Sequence, residues 1–196
     1  VQNFEGKFDF GRKCSVTISR NGDLVHKVWV EVDVDADALA SISVNNAFAL
    51  IDEVELEIGG QLIDRHFGDW MNIWCELTHS DSKGLQLKRL VDFHTPTPTA
   101  PSGNPPTEHD PKVYIPLQFS FCRNPGLAIP LIALQYHEVK LHFRVATKTE
   151  VGFDDNATGG KASIKSACCY CDYIYLDTDE RRRFAQTSHE YLIEQV

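Results

Sequence analysis

The run Leu24-Val25-His26-Lys27-Val28-Trp29-Val30-Glu31-Val32-Asp33-Val34 decides the fold class. Val28, Val30, Val32 and Val34 fall on one side with Leu24 and His26. Lys27, Glu31 and Asp33 fall on the other with Trp29. A side-chain period of two belongs to a strand with one face in a core and one toward solvent. The pattern recurs downstream. Val54, Leu56 and Ile58 alternate with Glu53, Glu55 and Glu57, and Gly59-Gly60 separates them from Gln61-Leu62-Ile63-Asp64. Two strand-like runs about a Gly-Gly pair predict a tight hairpin with a primed turn, because glycine tolerates positive φ. Val113, Ile115, Leu117, Phe119 and Phe121 mark one face of a further strand, and Asn124-Pro125-Gly126 a turn. Leu127–Leu134 is short and apolar. In Gln135–Val145, His137, Val139, Leu141, Phe143 and Val145 oppose Glu138, Lys140, His142 and Arg144. Ser163–Leu176 reads as the last strand.

Three stretches break the alternation. In Asp69–His79, Trp70, Ile73, Trp74 and Leu77 fall at i, i+3, i+4 and i+7, which predicts a short amphipathic helix with its tryptophans in the core. Asp69 is placed to cap its first turn. Asp92–Lys112 holds six of the nine prolines, at 96, 98, 101, 105, 106 and 111, and reads as a long surface loop. Asp177 and Glu180 have the spacing of a helix start. About eight short antiparallel strands predict an all-β domain: an eight-stranded antiparallel jelly-roll sandwich with one short inserted helix and a C-terminal helix.

Composition narrows the function. The 196 residues suffice for one domain with a full core. A chain 42% hydrophobic and 24% charged is not predominantly disordered. No apolar run approaches the roughly 18 residues of a membrane span. The start Val1-Gln2-Asn3-Phe4-Glu5 has neither an initiator Met nor the pattern of a secretory signal. With an ending at Glu194-Gln195-Val196, this suggests a piece of a longer chain. A net charge of −9 argues against direct nucleic-acid binding, which needs a basic face.

Chemistry-bearing clusters are few. Cys168 and Cys171 have C-x-x-C spacing, but strand geometry puts them on opposite faces, and no second pair lies at zinc-ribbon distance. Cys14, Cys75, Cys122, Cys168, Cys169 and Cys171 therefore read as reduced structural thiols. His137-Glu138 and His142 form the best histidine cluster, yet five residues along a strand also reverse the face. His137 and His26 are expected to be core histidines. No G-x-S-x-G elbow and no phosphate loop occurs. Catalytic residues, metal ligands and cofactors are accordingly none. Asn156-Ala157-Thr158 matches a glycosylation sequon. A carbohydrate-binding jelly roll is the alternative function, with Trp29, Trp70 and Trp74 as stacking platforms and Trp29 the best placed of them.

One set of words goes further. Asp177-Thr178-Asp179-Glu180-Arg181-Arg182-Arg183-Phe184-Ala185-Gln186 and Ser188-His189-Glu190-Tyr191-Leu192-Ile193 resemble the linker between two jelly rolls in the major capsid proteins of large eukaryotic double-stranded DNA viruses (iridoviruses, algal viruses and giant viruses). Tyr114-Ile115-Pro116-Leu117, Phe121-Cys122-Arg123-Asn124-Pro125-Gly126-Leu127-Ala128 and Leu131-Ile132-Ala133-Leu134-Gln135-Tyr136-His137-Glu138-Val139 are similar to that family in the same order. So are Ile58-Gly59-Gly60-Gln61 with Ile63-Asp64, and Arg20-Asn21-Gly22-Asp23-Leu24. The resemblance implies that residues 1–176 are the N-terminal jelly roll and 177–196 a linker toward a second. It implies a structural role: homotrimers with a pseudo-hexameric outline tiling an icosahedral virion capsid assembled in the host cytoplasm. The partners would be neighbouring capsomers and minor capsid proteins, with no membrane insertion. Arg181, Arg182, Arg183, Phe184, Tyr191 and Leu192 are the residues expected at the interdomain and assembly joint.

Overall fold

The computed structural model describes residues 1–34, 46–93, 112–152, 163–187 and 190–196. Among these residues eight strands form two antiparallel sheets. In the first, β1 (Lys13–Thr17), β7 (Val139–Val145), β3 (Ile51–Ile58) and β4 (Gln61–Phe67) lie in the order β1-β7-β3-β4. The second is built on β2 (Leu24–Val34). β8 (Ile164–Ile174) pairs along its whole length, while β5 (Lys112–Pro116) and β6 (Ile129–Pro130) pair with successive parts of it. The alternating runs face one another across the core. Val28, Val30, Val32 and Val34 of β2 and Val139, Leu141, Phe143 and Val145 of β7 are all buried, and Phe48, Leu50 and Phe119 fill between them. This is the expected two-sheet jelly-roll sandwich.

The β3–β4 hairpin forms as expected. Ile58 pairs with Gln61, and Gly59 and Gly60 both take positive φ (61° and 84°). Elsewhere the strands are shorter than the alternation. Val113, Ile115, Leu117, Phe119 and Phe121 are each at most 3% exposed, yet β5 ends at Pro116 and Ser120–Arg123 makes one helical turn. Period two reported burial correctly here; the Leu117 N–H still donates to the Val28 carbonyl at 3.0 Å, and the chain then leaves the ladder for that helical turn. Leu127–Leu134 contributes only the two residues of β6. Gln135 to Glu138 is a turn, so His137 is exposed and not a core histidine. β1 carried too short an alternation to be read from sequence.

Among its described residues the β4–β5 connection holds two helices rather than one: α1 (Gly68–Thr78) and α2 (Asp81–Val91). The phase of α1 also differs from the expected stripe. Gly68, Met71 and Cys75 are its buried residues, while Ile73 and Leu77 are 58% and 79% exposed. Trp70 and Trp74 are half-buried. Gly68 explains the rotation. A Cβ there would lie 2.2 Å from the Phe48 carbonyl oxygen and 2.3 Å from that of Ile51, so the helix starts flush against that backbone. α2 escaped the sequence reading because Val91 is its one buried residue. Its ends suit a helix dipole: Asp81 in the first turn, Lys88 and Arg89 in the last. The six loop prolines and Asn156 lie outside the described residues.

Candidate assembly site

The C-terminal segment begins at Asp177, whose carboxylate accepts the Glu180 N–H at 2.8 Å and caps a helix over Thr178–Gln186. The expected helix start is therefore present. Arg181 reaches back to the sandwich and donates to Asp23 at 2.9 Å. Asp23, itself buried, also accepts the Leu176 N–H at 2.8 Å. That backbone donor, with Arg181, holds its carboxyl below the usual range. The neighbouring residues explain the rest of the Arg20-Asn21-Gly22-Asp23 word. Arg20 donates to the carbonyls of Leu134, Gln135 and His137, tying down the 134–137 turn. Gly22 packs so closely that a Cβ would lie 2.6 Å from that of Tyr173.

Arg182 and Arg183 are exposed. Phe184 is half-buried and lines an apolar groove of about 560 Å³ with Leu56, Ile58, Phe121 and Ile129. Tyr191 and Leu192 line the same groove and remain 39% and 76% exposed. The structure thus brings Phe184, Tyr191 and Leu192 to one groove. Of the three arginines, Arg181 alone is paired with the sandwich among the described residues.

The last three residues make a second attachment. Glu194 pairs with Arg123 at 3.2 Å, Val196 N–H donates to Asp64 at 3.3 Å, and the Gln195 amide donates to the Ile63 carbonyl. Beneath them lies a buried polar cluster. His66 Nε2 is 2.8 Å from Asp64 Oδ2, with both side chains at most 3% exposed. The imidazole stacks on Phe119 at 4.4 Å and lies tilted against Trp70 at 4.2 Å. Burial pushes its pKa down to about 4, against the pull of Asp64. The Arg123 guanidinium sits 4.1 Å over Trp74 and donates through Nε to the Gln118 carbonyl at 2.9 Å. Sequence reasoning missed Asp23, Asp64, Arg123 and Glu194 as the contacts that hold the C-terminal segment to the sandwich. The first three stand inside the family-like words, and that was the available signal.

The remaining candidates are structural. His26 is buried against the Phe121 carbonyl at 2.8 Å. His142 pairs with Glu57 at 3.0 Å on the outer sheet face, while His137 sits in a turn beside Gly59. Among the described residues no group of His, Cys, Asp and Glu is arranged as metal ligands. All six cysteines are free. Cys168 points outward toward Glu31 while Cys169 is in the core, as alternation requires. Burial raises the thiol pKa of Cys14 and Cys75 to about 11 and that of Cys122 to about 12, so none of these three is a ready nucleophile.

Comparison with known proteins places this geometry. Residues 1–177 match a family model described as the major capsid protein N-terminus. The chain is 50% identical over 197 residues to the major capsid protein of Pyramimonas orientalis virus, covering all of this chain and 48% of that one. It is 40% identical over 196 residues to that of Paramecium bursaria Chlorella virus 1, covering 43% of it. A quasi-atomic model of the PBCV-1 virus capsid superposes with a TM-score of 0.79 at 39% identity, over 99% of this chain and 45% of the other. The Faustovirus major capsid protein shares the fold at 13% identity, with a TM-score of 0.62 over 93% of this chain and 55% of that one. The chain spans about half the length of these relatives.

Proposed function

Since the chain belongs to the viral major capsid protein family, matching its N-terminal domain, we propose that it is a structural component of an icosahedral capsid, acting by self-association and not by catalysis. The observation that carries this reading is the superposition of 99% of the chain on a solved virus capsid at 39% identity. The physical properties agree. A two-sheet sandwich is rigid, and an acidic surface suits a shell with no direct contact to the genome. Residues 1–176 act as one jelly roll. Residues 177–196 act as the joint to a second, with Arg182, Arg183, Phe184, Tyr191 and Leu192 presented to it. The working unit is a homotrimer of pseudo-hexameric outline, made in the host cytoplasm, that contacts neighbouring capsomers and minor capsid proteins in the virion.

Electron microscopy of the full-length protein expressed alone tests this. Trimers of six-fold-like outline are the expected result. A protein that stays monomeric at every concentration, or forms rings of another order, overturns the proposal.

A further inference from the structure

The strand-face tryptophan Trp29 opens onto a cleft of about 400 Å³ between the outer face of β2 and the α1–α2 pair. Its walls include Trp29, Trp74, Lys27, Lys83 and Arg123, with the amides of Gln86 and Gln118 between them. The charge balance of this cleft inverts that of the molecule. The chain has 28 acidic and 19 basic residues, yet three cations line the cleft and no carboxylate does. Of these three, Arg123 already has a carboxylate partner, and Glu31 is committed elsewhere. Glu31, two residues along the same strand face, pairs with Lys112 at 3.1 Å, and Glu194 pairs with Arg123 at 3.2 Å. Among the described residues, Lys27 and Lys83 form no ion pair, and both are exposed. Arg123 is held in place by Trp74, the Gln118 carbonyl and Glu194, so it shapes the wall of the cleft.

We propose that this cleft binds a sulfated saccharide, one sugar ring lying on Trp29 and its sulfate groups meeting Lys27 and Lys83. The size suits one or two sugar rings, within the roughly 300–1,000 Å³ of ordinary ligand sites. An aromatic face gives an apolar platform for the ring, and the amides offer both donors and acceptors to hydroxyls. The cations supply what a neutral sugar would not use, which is why the charge argues for the acidic class. The site rests on Trp29, Lys27 and Lys83, none of them assigned to the assembly face, and Arg123, which pairs with Glu194, only bounds it.

The test is calorimetric titration of the chain with a heparin-derived hexasaccharide, with the desulfated hexasaccharide, hexaglutamate and inorganic sulfate as separate probes. Saturable binding of the sulfated sugar is expected, with at least about ten-fold weaker binding of the desulfated one. Trp29→Ala is expected to weaken binding about ten-fold. The double change Lys27→Gln with Lys83→Gln, both on exposed residues and safe for folding, should do the same and flatten the salt dependence. Lys13→Gln, on the other sheet, should have no effect. Equal binding of the desulfated sugar, equal or tighter binding of hexaglutamate, binding of sulfate alone, or an unchanged affinity in the Lys27/Lys83 double variant each overturns the proposal.

Discussion

At His66, a buried imidazole sits between Trp70 and Phe119 with its pKa lowered from 6.5 to about 4. The unfolded chain therefore binds more protons than the folded one between these values, and stability rises with pH across that window. The contribution is complete above pH 6.5 and is lost as pH falls toward 4. Thermal unfolding midpoints should thus drop between pH 6.5 and 4, and His66→Phe, which keeps the ring stack, should flatten that part of the profile. Parallel profiles for the two proteins would show that His66 is not the titrating group. At Gly68 the constraint is steric. Gly68→Ala gains up to about 1 kcal/mol of helix propensity. It also drives a methyl group into two backbone carbonyls that cannot move aside. Overpacking of this kind typically costs about 1–3 kcal/mol, so a net loss of about 1–2 kcal/mol is expected in urea unfolding. A neutral or stabilising result would mean that α1 can back away from Phe48.

Among the elements, the C-terminal segment divides its arginines between two tasks. Arg181 bonds the sandwich through Asp23, whereas Arg182 and Arg183 face solvent. Arg181→Ala should lower the melting temperature modestly, since a half-exposed pair contributes about 0–1 kcal/mol. The double change Arg182→Ala with Arg183→Ala should leave melting of the chain unchanged and reduce the yield of capsomers from full-length protein. Phe184→Ala should also reduce capsomer yield more than it lowers melting. Native gels and differential scanning calorimetry separate these effects. Intact capsomers from both sets of variants would remove the joint from the assembly interface.

For the molecule as a whole, charge and exposed apolar surface act in opposition. Ile73, Leu77 and Leu85 on the helices and Tyr136, Leu192 and Val196 elsewhere are all more than half exposed. A net charge of −9 keeps copies apart at low salt. Raising salt shortens the Debye length from about 30 Å at 0.01 M to about 8 Å at 0.15 M. Static light scattering should therefore show the chain associating as salt increases. A monomer unaffected by salt at high concentration would mean that these side chains form no effective sticky patch.

The sequence by itself determined the sandwich. Alternation in Leu24–Val34, Glu53–Ile58 and Val139–Val145 is a local property, because a strand's two faces see different solvents whatever its neighbours are. The Gly59-Gly60 turn and the Asp177 cap were legible for the same reason, each being settled within a few residues. Where strands end depended on partners, so β5 stopped at Pro116 while its apolar alternation ran on to Phe121. Helix phase was decided by tertiary packing: the four-residue stripe of Trp70 to Leu77 was amphipathic, but the close seat of Gly68 against Phe48 and Ile51 chose Met71 and Cys75 as the buried side. Asp23, Asp64 and Arg123 meet the C-terminal segment across 158, 132 and 71 positions. No period or spacing encodes such a meeting, because only the folded sandwich brings those side chains within hydrogen-bonding reach.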